Sequence, residues 1–178
     1  FRHLIRDRSL PLKTIVSYTT RPIRVGERDG REYHFVSVPE FEKLLSEGKI
    51  IEHRVYHTVL GDWFYFTVDD GQIKEDGGNY LLIMTLFGYE SIREHYGSDR
   101  VVPIYIEADD HDRLMRYINR ERKQETPHYD EVCRRYLADE ADYPEEDIKR
   151  LGIERRFVND DLNKCVESIK EYIKSETR

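Results

Sequence analysis

The sequence predicts an α/β fold built on a parallel core sheet. Three strand-like runs lie at 12–18, 80–84 and 101–106, and the second and third have the composition of strands that are buried on both faces. Helix-like patterns follow the second and third runs, and such alternation of strands and helices is typical of parallel sheets. The stretch from about 32 to 68 breaks the alternation, because it is strand-rich and only half apolar. We therefore expect an antiparallel insertion with a site of its own.

Local patterns place the remaining elements along the chain. Apolar residues at three- and four-residue spacing predict helices at 1–8, 38–47, 87–96, 109–120, 129–141 and 162–174. Further strands are predicted at 32–37, 49–56, 63–68 and 156–158, with turns at 61–62 and 76–79. Ser37 and Asp109 are expected to cap the helices that follow them, because their side-chain oxygens accept hydrogen bonds from first-turn amides. The buried faces of two helices are expected to contain Leu114, Met115, Ile118, Val132, Cys133, Tyr136 and Leu137.

Composition bounds the class of protein before any motif is considered. With 178 residues, 38% of them hydrophobic and 37% charged, the chain fits one folded domain. A net charge of −7 argues against nucleic acid as a general partner, since such partners require a basic surface. Cys133 and Cys165 lie far apart without CxxC or metal-binding spacing, which predicts a reduced, cytoplasmic protein. No apolar run is long enough to cross a membrane, and the oligomeric state is not readable.

The most specific stretch is the loop at 17–35, which joins two predicted strands. It places arginines at four positions among proline and glycines: Arg21, Arg24, Arg28 and Arg31. A guanidinium presents a rigid fork of N–H donors that matches phosphate oxygens, and two such forks on a constrained loop can converge on one phosphate. The loop therefore predicts a site for a small phosphorylated ligand, and the alternative is a solvated charged turn.

The order Ser-x-Thr-Thr-Arg-Pro-x-Arg-x-Gly-Glu-x-Asp-Gly-x-x-Tyr-x-Phe, starting at Ser17, resembles the GMP-binding signature of guanylate kinases. These enzymes phosphorylate GMP to GDP with ATP and Mg²⁺. The similarity continues through 41–44 and 48–52 and ends at 158–162, so it spans nearly the whole chain. It implies a P-loop-kinase-like three-layer fold. Its parts would be a core at 1–18 and 80–178, a GMP-binding subdomain at about 19–79 and a helical lid at about 113–140.

The resemblance implies that Arg21, Arg24 and Tyr33 bind the GMP phosphate, and that Ser17 and Glu52 lie near the guanine. Guanine presents its N1–H and its N2 amino group side by side, so one carboxylate accepts both hydrogen bonds. Glu52, at the end of an apolar strand, suits that role and would reject adenine, which has an acceptor at N1. From the residue alone, an exposed strand-end carboxylate remains the alternative.

Further GMP contacts are implied by the family segment Gly-Asn-Tyr-Tyr-Gly-Thr, which matches 61–67. This alignment places Phe64 where the family has a phosphate-contacting tyrosine, with Tyr65 as a substitute, and it adds Thr67 to the site. The family aspartate that faces GMP matches Thr85, which forms hydrogen bonds but carries no charge. His53 and His57 are expected to be structural or at the rim.

A second group of arginines lies on the predicted helices of the lid. By resemblance, Arg116, Arg120 and Arg135 are catalytic and neutralise charge on the transferring phosphoryl group. Neighbouring arginines are close enough in sequence to exchange these roles: Arg122 and Arg134. From spacing alone, the alternative is a solvated charged face that also includes Arg113.

Residues near the C-terminus are implied in binding of ATP. Asn159 follows the strand at 156–158 and matches a position near the ATP base. Asp161 is better explained as the cap of the last helix. The P-loop motif GxxxxGK[ST], whose amides and lysine hold ATP phosphates, does not occur in the 178 residues. We expect it to precede Phe1 in a longer sequence, and we expect the chain as printed to bind GMP but to be inactive.

These features predict an ATP:GMP phosphotransferase of purine nucleotide metabolism with GMP and ATP as substrates and Mg²⁺ bound with ATP. No protein ligand to the metal is predicted. One alternative is a non-catalytic guanylate-kinase-like module that binds a nucleotide or a phosphorylated partner. Another is a kinase for a different nucleotide, if Thr85 changes base selection.

Overall fold

The computed structural model describes residues 1–24, 26–58, 61–74 and 77–177, which form two compact units, Phe1–Val101 and Val102–Arg178. Both units combine helices with parallel strands, which confirms the predicted α/β class. The predicted loop at 17–35 includes residue 25, and the predicted turn at 76–79 includes residue 76. Both of those residues lie outside the described part.

The first unit contains the elements that the sequence assigns to the insertion and to one edge of the core. Its helices are α1 Arg2–Ile5, α2 Val38–Ser46 and α3 Leu86–Tyr96. Its strands are β1 Leu12–Thr14, β2 Tyr18–Thr19, β3 His34–Phe35, β4 Ile50–Thr58, β5 Gly61–Val68 and β6 Asn79–Leu81. The predicted Ser37 cap is confirmed, since its side chain accepts a hydrogen bond from the Glu40 amide.

A four-stranded sheet of order β3-β2-β5-β4 forms the insertion, with β5 antiparallel to both of its neighbours. Helix α2 covers one face, where Phe41 contacts the alternate β5 residues Phe64 and Phe66. Intervening strand residues point to the opposite face, because side chains alternate along a strand. The predicted turn at Gly61-Asp62 is wrong: both residues belong to β5, and Asp62 pairs with His57.

Parallel pairing occurs between β1 and β6. This confirms that the runs near 12 and 80 form parallel strands, although both are shorter than predicted. The expectation that 80–84 is buried on both faces is wrong for Ile83, which lies beyond β6 and is 70% exposed. The sequence pattern thus predicts that these two strands are parallel, and it does not predict their lengths.

The second unit also contains a parallel pair, formed by β7 Tyr105–Glu107 and β8 Arg156–Val158. Its helices are α4 Asp110–Glu121, α5 Tyr129–Asp142, α6 Glu145–Arg150 and α7 Leu162–Glu176. Asp109 caps α4 and Asp161 caps α7, as predicted, and each accepts from two first-turn amides. Helix α6 was not predicted, and the strand expected at 101–106 begins only at Tyr105.

Polar contacts join α4 to α5. Val132 is buried, but Met115, Cys133 and Leu137 are exposed, so their predicted burial is wrong. Instead, Arg113 pairs with Glu140. Other contacts between the two helices are a Tyr117–Asp139 hydrogen bond and a cation–π contact of Arg113 with Tyr136. Within the described residues, no helix has the length and apolar character needed to span a bilayer.

Candidate functional site

One face of the four-stranded sheet carries residues that the sequence predicts for a phosphate and base site. In the register of β4 and β5, Glu52 lies opposite Thr67, and Arg54 lies opposite Tyr65. Residues directly opposite each other share a side of a sheet, and here it is the side away from α2. We call this side the site face and define it by Arg21, Tyr33, Glu52, Arg54, Tyr56, Tyr65 and Thr67.

Arg21 is held at one end of the site face by a carboxylate from its own loop. Its two terminal nitrogens donate to the two oxygens of Glu27 at 2.8 and 2.6 Å, and the residue is only 4% exposed. The backbone amide of Arg24 donates to the same carboxylate at 2.9 Å. The Arg21 fork, followed by this amide, lowers the pKa of Glu27 to about 2. Glu27 therefore stays ionised and fixes the direction of Arg21.

Three tyrosines continue from Arg21 across the site face. The guanidinium carbon of Arg21 lies 5.3 Å from the ring centre of Tyr33. Tyr65 contacts Tyr33 edge-on at 5.6 Å and Tyr56 edge-on at 5.2 Å. Burial is the main cause that raises the pKa of Tyr33. Its hydroxyl is therefore protonated at neutral pH and able to donate to an anion.

The segment at 61–67 directs neighbouring aromatic residues to opposite sides of the sheet. The Phe64 ring stacks on Phe41 at 4.2 Å on the α2 side of the sheet. Tyr65 points to the other side, beside Tyr33. The hydrogen bond to Glu27 is the main cause that raises the pKa of Arg21, and a hydrogen bond to Tyr65 adds to it. Of the two residues that the sequence offers for the tyrosine position, Tyr65 therefore shares the site face with Thr67, and Phe64 does not.

Glu52 marks the other end of the site face. Its carboxylate accepts a hydrogen bond of 2.6 Å from the hydroxyl of Thr67, which is itself 2% exposed. Burial raises the pKa of Glu52, and the Thr67 hydrogen bond and His53 act in the opposite direction. A half-buried carboxylate is favoured when its oxygens accept hydrogen bonds, and Glu52 has acceptor capacity left beyond the Thr67 hydrogen bond.

The first turn of α3 approaches this carboxylate closely. A Cβ added at Gly88 would lie 3.7 Å from the Glu52 carboxyl carbon and 3.1 Å from the Cβ of Met84. Thr85 is the N-cap of α3 and accepts a hydrogen bond of 3.3 Å from the Gly88 amide. Gly88 therefore approaches Glu52, and the hydroxyl of Thr85, which the sequence predicts for the GMP site, serves as the cap of the same helix.

Two other predicted residues are placed by backbone contacts. Ser17 is half-buried, and its carbonyl accepts a hydrogen bond of 2.9 Å from the His34 amide, which joins it to β3. Arg24 is exposed on the loop next to the Arg21–Glu27 pair. The structure therefore groups Arg21, Arg24 and the tyrosines at one end of the site face and Glu52, Thr67 and Thr85 at the other.

In the second unit, the predicted lid arginines have different partners from one another. Arg116 donates to the carbonyl of Asn159 at 2.8 Å, so two predicted ATP-side residues lie together. Arg120 lies over the ring of Tyr117, with its guanidinium carbon at 4.8 Å. Arg113 turns to α5 instead and does not share the surroundings of Arg116.

Arg135 has a carboxylate partner on its own helix. Its Nε donates to Glu131 at 2.8 Å, and Arg134 binds the same carboxylate with two nitrogens. These contacts lower the pKa of Glu131 to about 2. The part of the chain that the structure describes holds no group of three or more His, Cys, Asp and Glu side chains suited to a metal.

Sequence reasoning missed four residues of this arrangement: Glu27, Arg54, Tyr56 and Gly88. Glu27 was visible as a carboxylate inside the arginine loop, where an ionic partner for a buried arginine is required. Arg54 and Tyr56 follow Glu52 at two-residue steps, and that period alone places them on the same face of a strand. Gly88 was not predictable from the sequence, because the need for a glycine in a helix depends on which neighbouring residues approach it in the folded structure.

The chain is similar to known proteins over nearly its whole length. The model of the family described as guanylate kinase matches residues 2–176. A guanylate kinase of Porphyromonas gingivalis is 32% identical over 173 residues, which cover 96% of this chain and 86% of that protein. One of Chlorobaculum tepidum is 30% identical over 169 residues, which cover 93% and 80%.

A solved structure extends the likeness from sequence to fold. The crystal structure of guanylate kinase from Anaplasma phagocytophilum matches with a TM-score of 0.65 and 26% identity. The match covers 99% of this chain and 79% of that chain. It confirms the predicted P-loop-kinase-like α/β fold.

Proposed function

The chain belongs to the guanylate kinase family, and we propose that its site face is the GMP site and that its α4 and α5 arginines act on the transferred phosphoryl group. Its reaction transfers the γ-phosphoryl group of ATP to GMP and gives GDP and ADP. Guanylate kinases use ATP with a divalent metal. We assign that metal as Mg²⁺, bound as part of the ATP substrate.

One observation carries the proposal: a base-selective carboxylate and an arginine–tyrosine cluster lie on one face of the same sheet. At the base end, Glu52 accepts from guanine N1–H and the N2 amino group, while Thr67 holds the carboxylate in place. Ser17 and Thr85 complete the contacts to the nucleoside. Adenine offers an acceptor where guanine offers N1–H, so it faces the half-buried carboxylate with a lone pair instead of a donor.

At the phosphate end, Arg21, Arg24, Tyr33 and Tyr65 bind the acceptor phosphate of GMP. Arg21 enters this site already oriented by Glu27, so little side-chain entropy is lost when the phosphate binds. The tyrosine hydroxyls donate to phosphate oxygens. The contacts hold the acceptor oxygen in position, and positioning supplies much of the catalysis in phosphoryl transfer.

On the ATP side, Arg116, Arg120 and Arg135 stabilise the charge that develops on the transferred group. Asn159 lies near the ATP base, and its carbonyl anchors Arg116 in the present arrangement. Arg135 exchanges Glu131 for phosphoryl oxygens when the nucleotides are bound. Arginine suits this role because its charge persists at all working pH values and its fork matches the phosphoryl oxygens.

The substrate assignment is tested by a coupled assay of the whole protein with GMP, dGMP, AMP and UMP. We expect GMP and dGMP to be phosphorylated and AMP to be a poor substrate. We expect Glu52→Gln to lower the ratio of kcat/KM for GMP to that for AMP. Equal turnover of AMP and GMP would contradict the role of Glu52. A parallel assay of the 178-residue polypeptide tests the expectation that it binds GMP without turnover.

We also propose that the protein acts in purine nucleotide metabolism in the cytoplasm without nucleic acid or a membrane as partner. The thiols of Cys133 and Cys165 are both unpaired, which fits a reducing compartment, and the net charge of −7 disfavours nucleic acid. Fractionation of cells that produce the protein, followed by detection in the soluble cytoplasmic fraction, tests this assignment.

A further inference from the structure

We propose that Arg54 is an additional substrate-binding residue that contacts the phosphate of GMP. The proposal rests on the assignment of the site face to GMP. Arg54 is not among the GMP contacts that the guanylate kinase signature implies. Its assignment comes from strand register, ring contacts and charge balance on the site face.

Strand register places Arg54 between the two ends of the site. It follows Glu52 by two residues on β4, so the two side chains share a face and their Cα atoms are about 7 Å apart. Arg54 pairs directly with Tyr65, one of the residues of the phosphate end. A side chain at this position borders both the nucleoside and the phosphate.

The orientation of Arg54 favours the phosphate end. Its guanidinium carbon lies 4.9 Å from the ring centre of Tyr56, two residues further from Glu52 along β4. Tyr56 contacts Tyr65, and Tyr65 contacts Tyr33, which lies under the guanidinium of Arg21. The two arginines therefore border one tyrosine cluster. A guanidinium over a ring uses its face for that contact and makes hydrogen bonds in its plane.

The charges around the tyrosine cluster favour a phosphate-binding role for Arg54. Arg21 is neutralised by the bidentate contact with Glu27, so this pair adds no net positive charge to the cluster. The phosphate of GMP brings up to two negative charges into a partly buried site. Arg54 is half-buried, where a charge is screened less than at the surface. A guanidinium at this position is attracted by the phosphate, whose charge the Arg21–Glu27 pair does not balance.

The test compares GMP with guanosine, which lacks the phosphate, by calorimetry on the whole protein. Arg54→Met keeps an unbranched side chain and removes the charge, and Arg54→Lys keeps the charge and loses the planar fork. Arg100→Ala is the matched control, because it removes one positive charge from an exposed position of the same unit. Thermal unfolding of each variant is recorded in parallel.

We expect Arg54→Met to raise the Kd for GMP about tenfold or more, the usual effect of losing a hydrogen bond to a charged group, and to leave the Kd for guanosine within about twofold. Arg54→Lys recovers part of the loss, and Arg100→Ala has no effect. Unchanged GMP binding in a folded Arg54→Met variant overturns the proposal. Equal weakening of GMP and guanosine does so too, because it shows a structural role through Tyr56.

Two further variants separate this proposal from the assignment of the whole site. Arg21→Met and Glu52→Gln are measured in the same experiment. If these weaken GMP binding and Arg54→Met does not, the site assignment stands and only the role of Arg54 fails. If none of the three changes GMP binding, the site face is not the GMP site. If Arg54→Met does not fold, the comparison of Arg54→Lys with wild type decides, and equal GMP affinities overturn the proposal.

Discussion

The two sets of arginines in this protein differ in how firmly they are held. Arg21 on the site face is 4% exposed and is fixed by Glu27 and two aromatic rings. Arg135 on α5 is 56% exposed and pairs with Glu131 one helical turn away. An exposed ion pair contributes only about 0–1 kcal/mol, whereas breaking a buried pair costs several times more. The Arg21 end of the site face is therefore preorganised, and the α5 arginine is able to change partners.

This difference fits the two tasks that phosphoryl transfer requires, which are holding the acceptor and stabilising the charge on the transferred group. The acceptor has to be held in line before the reaction, which favours rigid contacts on a sheet. The charge on the transferred phosphoryl group changes during the reaction. The arginines that stabilise this charge do not have to contact the phosphoryl oxygens before the nucleotides bind. We therefore expect variants on the site face to change binding and variants on α4 and α5 to change the rate.

The largest effect is expected from single substitutions of Arg116, Arg120 and Arg135 by methionine. At least one of them should lower kcat by about 1000-fold, the scale of an arginine that stabilises a phosphoryl-transfer transition state. The Kd for GMP should stay within about twofold, and steady-state kinetics with calorimetry measure both. Lys164→Met, on the exposed side of α7, is the control. A rise in the GMP Kd that equals the fall in kcat would remove the distinction between the two regions.

Arg21→Met is expected to have the next largest effect, this time on binding. The Kd for GMP should rise about 100-fold, since two hydrogen bonds to a charged group at roughly 1.5 kcal/mol each are lost. The value of kcat at saturating GMP should change far less. Calorimetry and kinetics with the whole protein give both numbers.

Arg28→Met provides the control for that substitution, because Arg28 is an exposed arginine of the same loop. Arg21→Lys keeps the charge without the fork and should lie between the wild type and Arg21→Met. If Arg28→Met weakened GMP binding as much as Arg21→Met, then the total charge of the loop would determine GMP affinity, and the preorganised Arg21 side chain would not.

The same contrast explains what the sequence was able to predict. Arg21, Tyr33, Glu52 and Thr67 were predicted from the resemblance to the guanylate kinase signature, and the structure brings these four onto one face of the sheet. The partner of Arg21 was missed, since a carboxylate in an arginine-rich loop reads as one charge among many until burial is known. Phe64 and Tyr65 were both left as candidates for one position, because the two faces of a strand composed of aromatic residues look alike in sequence.

Helices α4 and α5 were less predictable for a physical reason. Their apolar spacing predicted buried Met115, Cys133 and Leu137, yet polar contacts join α4 to α5 there. Helical periodicity reports which residues share a face, and it does not report what that face contacts. Arg113 and Arg116 have different partners for the same reason. Residues three apart are neighbours on a helix, but they can still contact different elements.

The pH dependence of guanosine binding sharpens the description of the base end. Burial raises the pKa of Glu52, so its carboxyl begins to gain a proton at a higher pH than an ordinary glutamate does. The protonated form accepts fewer hydrogen bonds from guanine, so affinity should fall as the pH is lowered, and the fall should begin at a higher pH than an ordinary glutamate would give. Guanosine is used because the phosphate of GMP titrates in the same range.

Glu52→Gln should remove this pH dependence and weaken guanosine binding about tenfold at neutral pH, as expected for loss of a charged acceptor. Conversely, bound guanosine should lower the pKa of Glu52, since it stabilises the ionised form. His53→Gln is the control, because His53 lies on the α2 side of the strand and still contributes to the pKa of Glu52. A pH profile that persists in Glu52→Gln would assign the titration to another group.

The smallest effect, and the most local test of preorganisation, is expected from Gly88→Ala. The added Cβ would lie 3.1 Å from the Cβ of Met84 and 3.7 Å from the Glu52 carboxyl, so the α3 turn has to shift by a few tenths of an ångström. Alanine is a better helix former than glycine by up to about 1 kcal/mol, so unfolding stability should fall little or even rise. GMP affinity should nevertheless drop a few-fold, because the carboxylate loses its position. Ser91→Ala on the same helix controls for helix propensity. If Gly88→Ala bound GMP as tightly as the wild type, the base end would tolerate displacement, and rigidity would be confined to the Arg21 end of the site face.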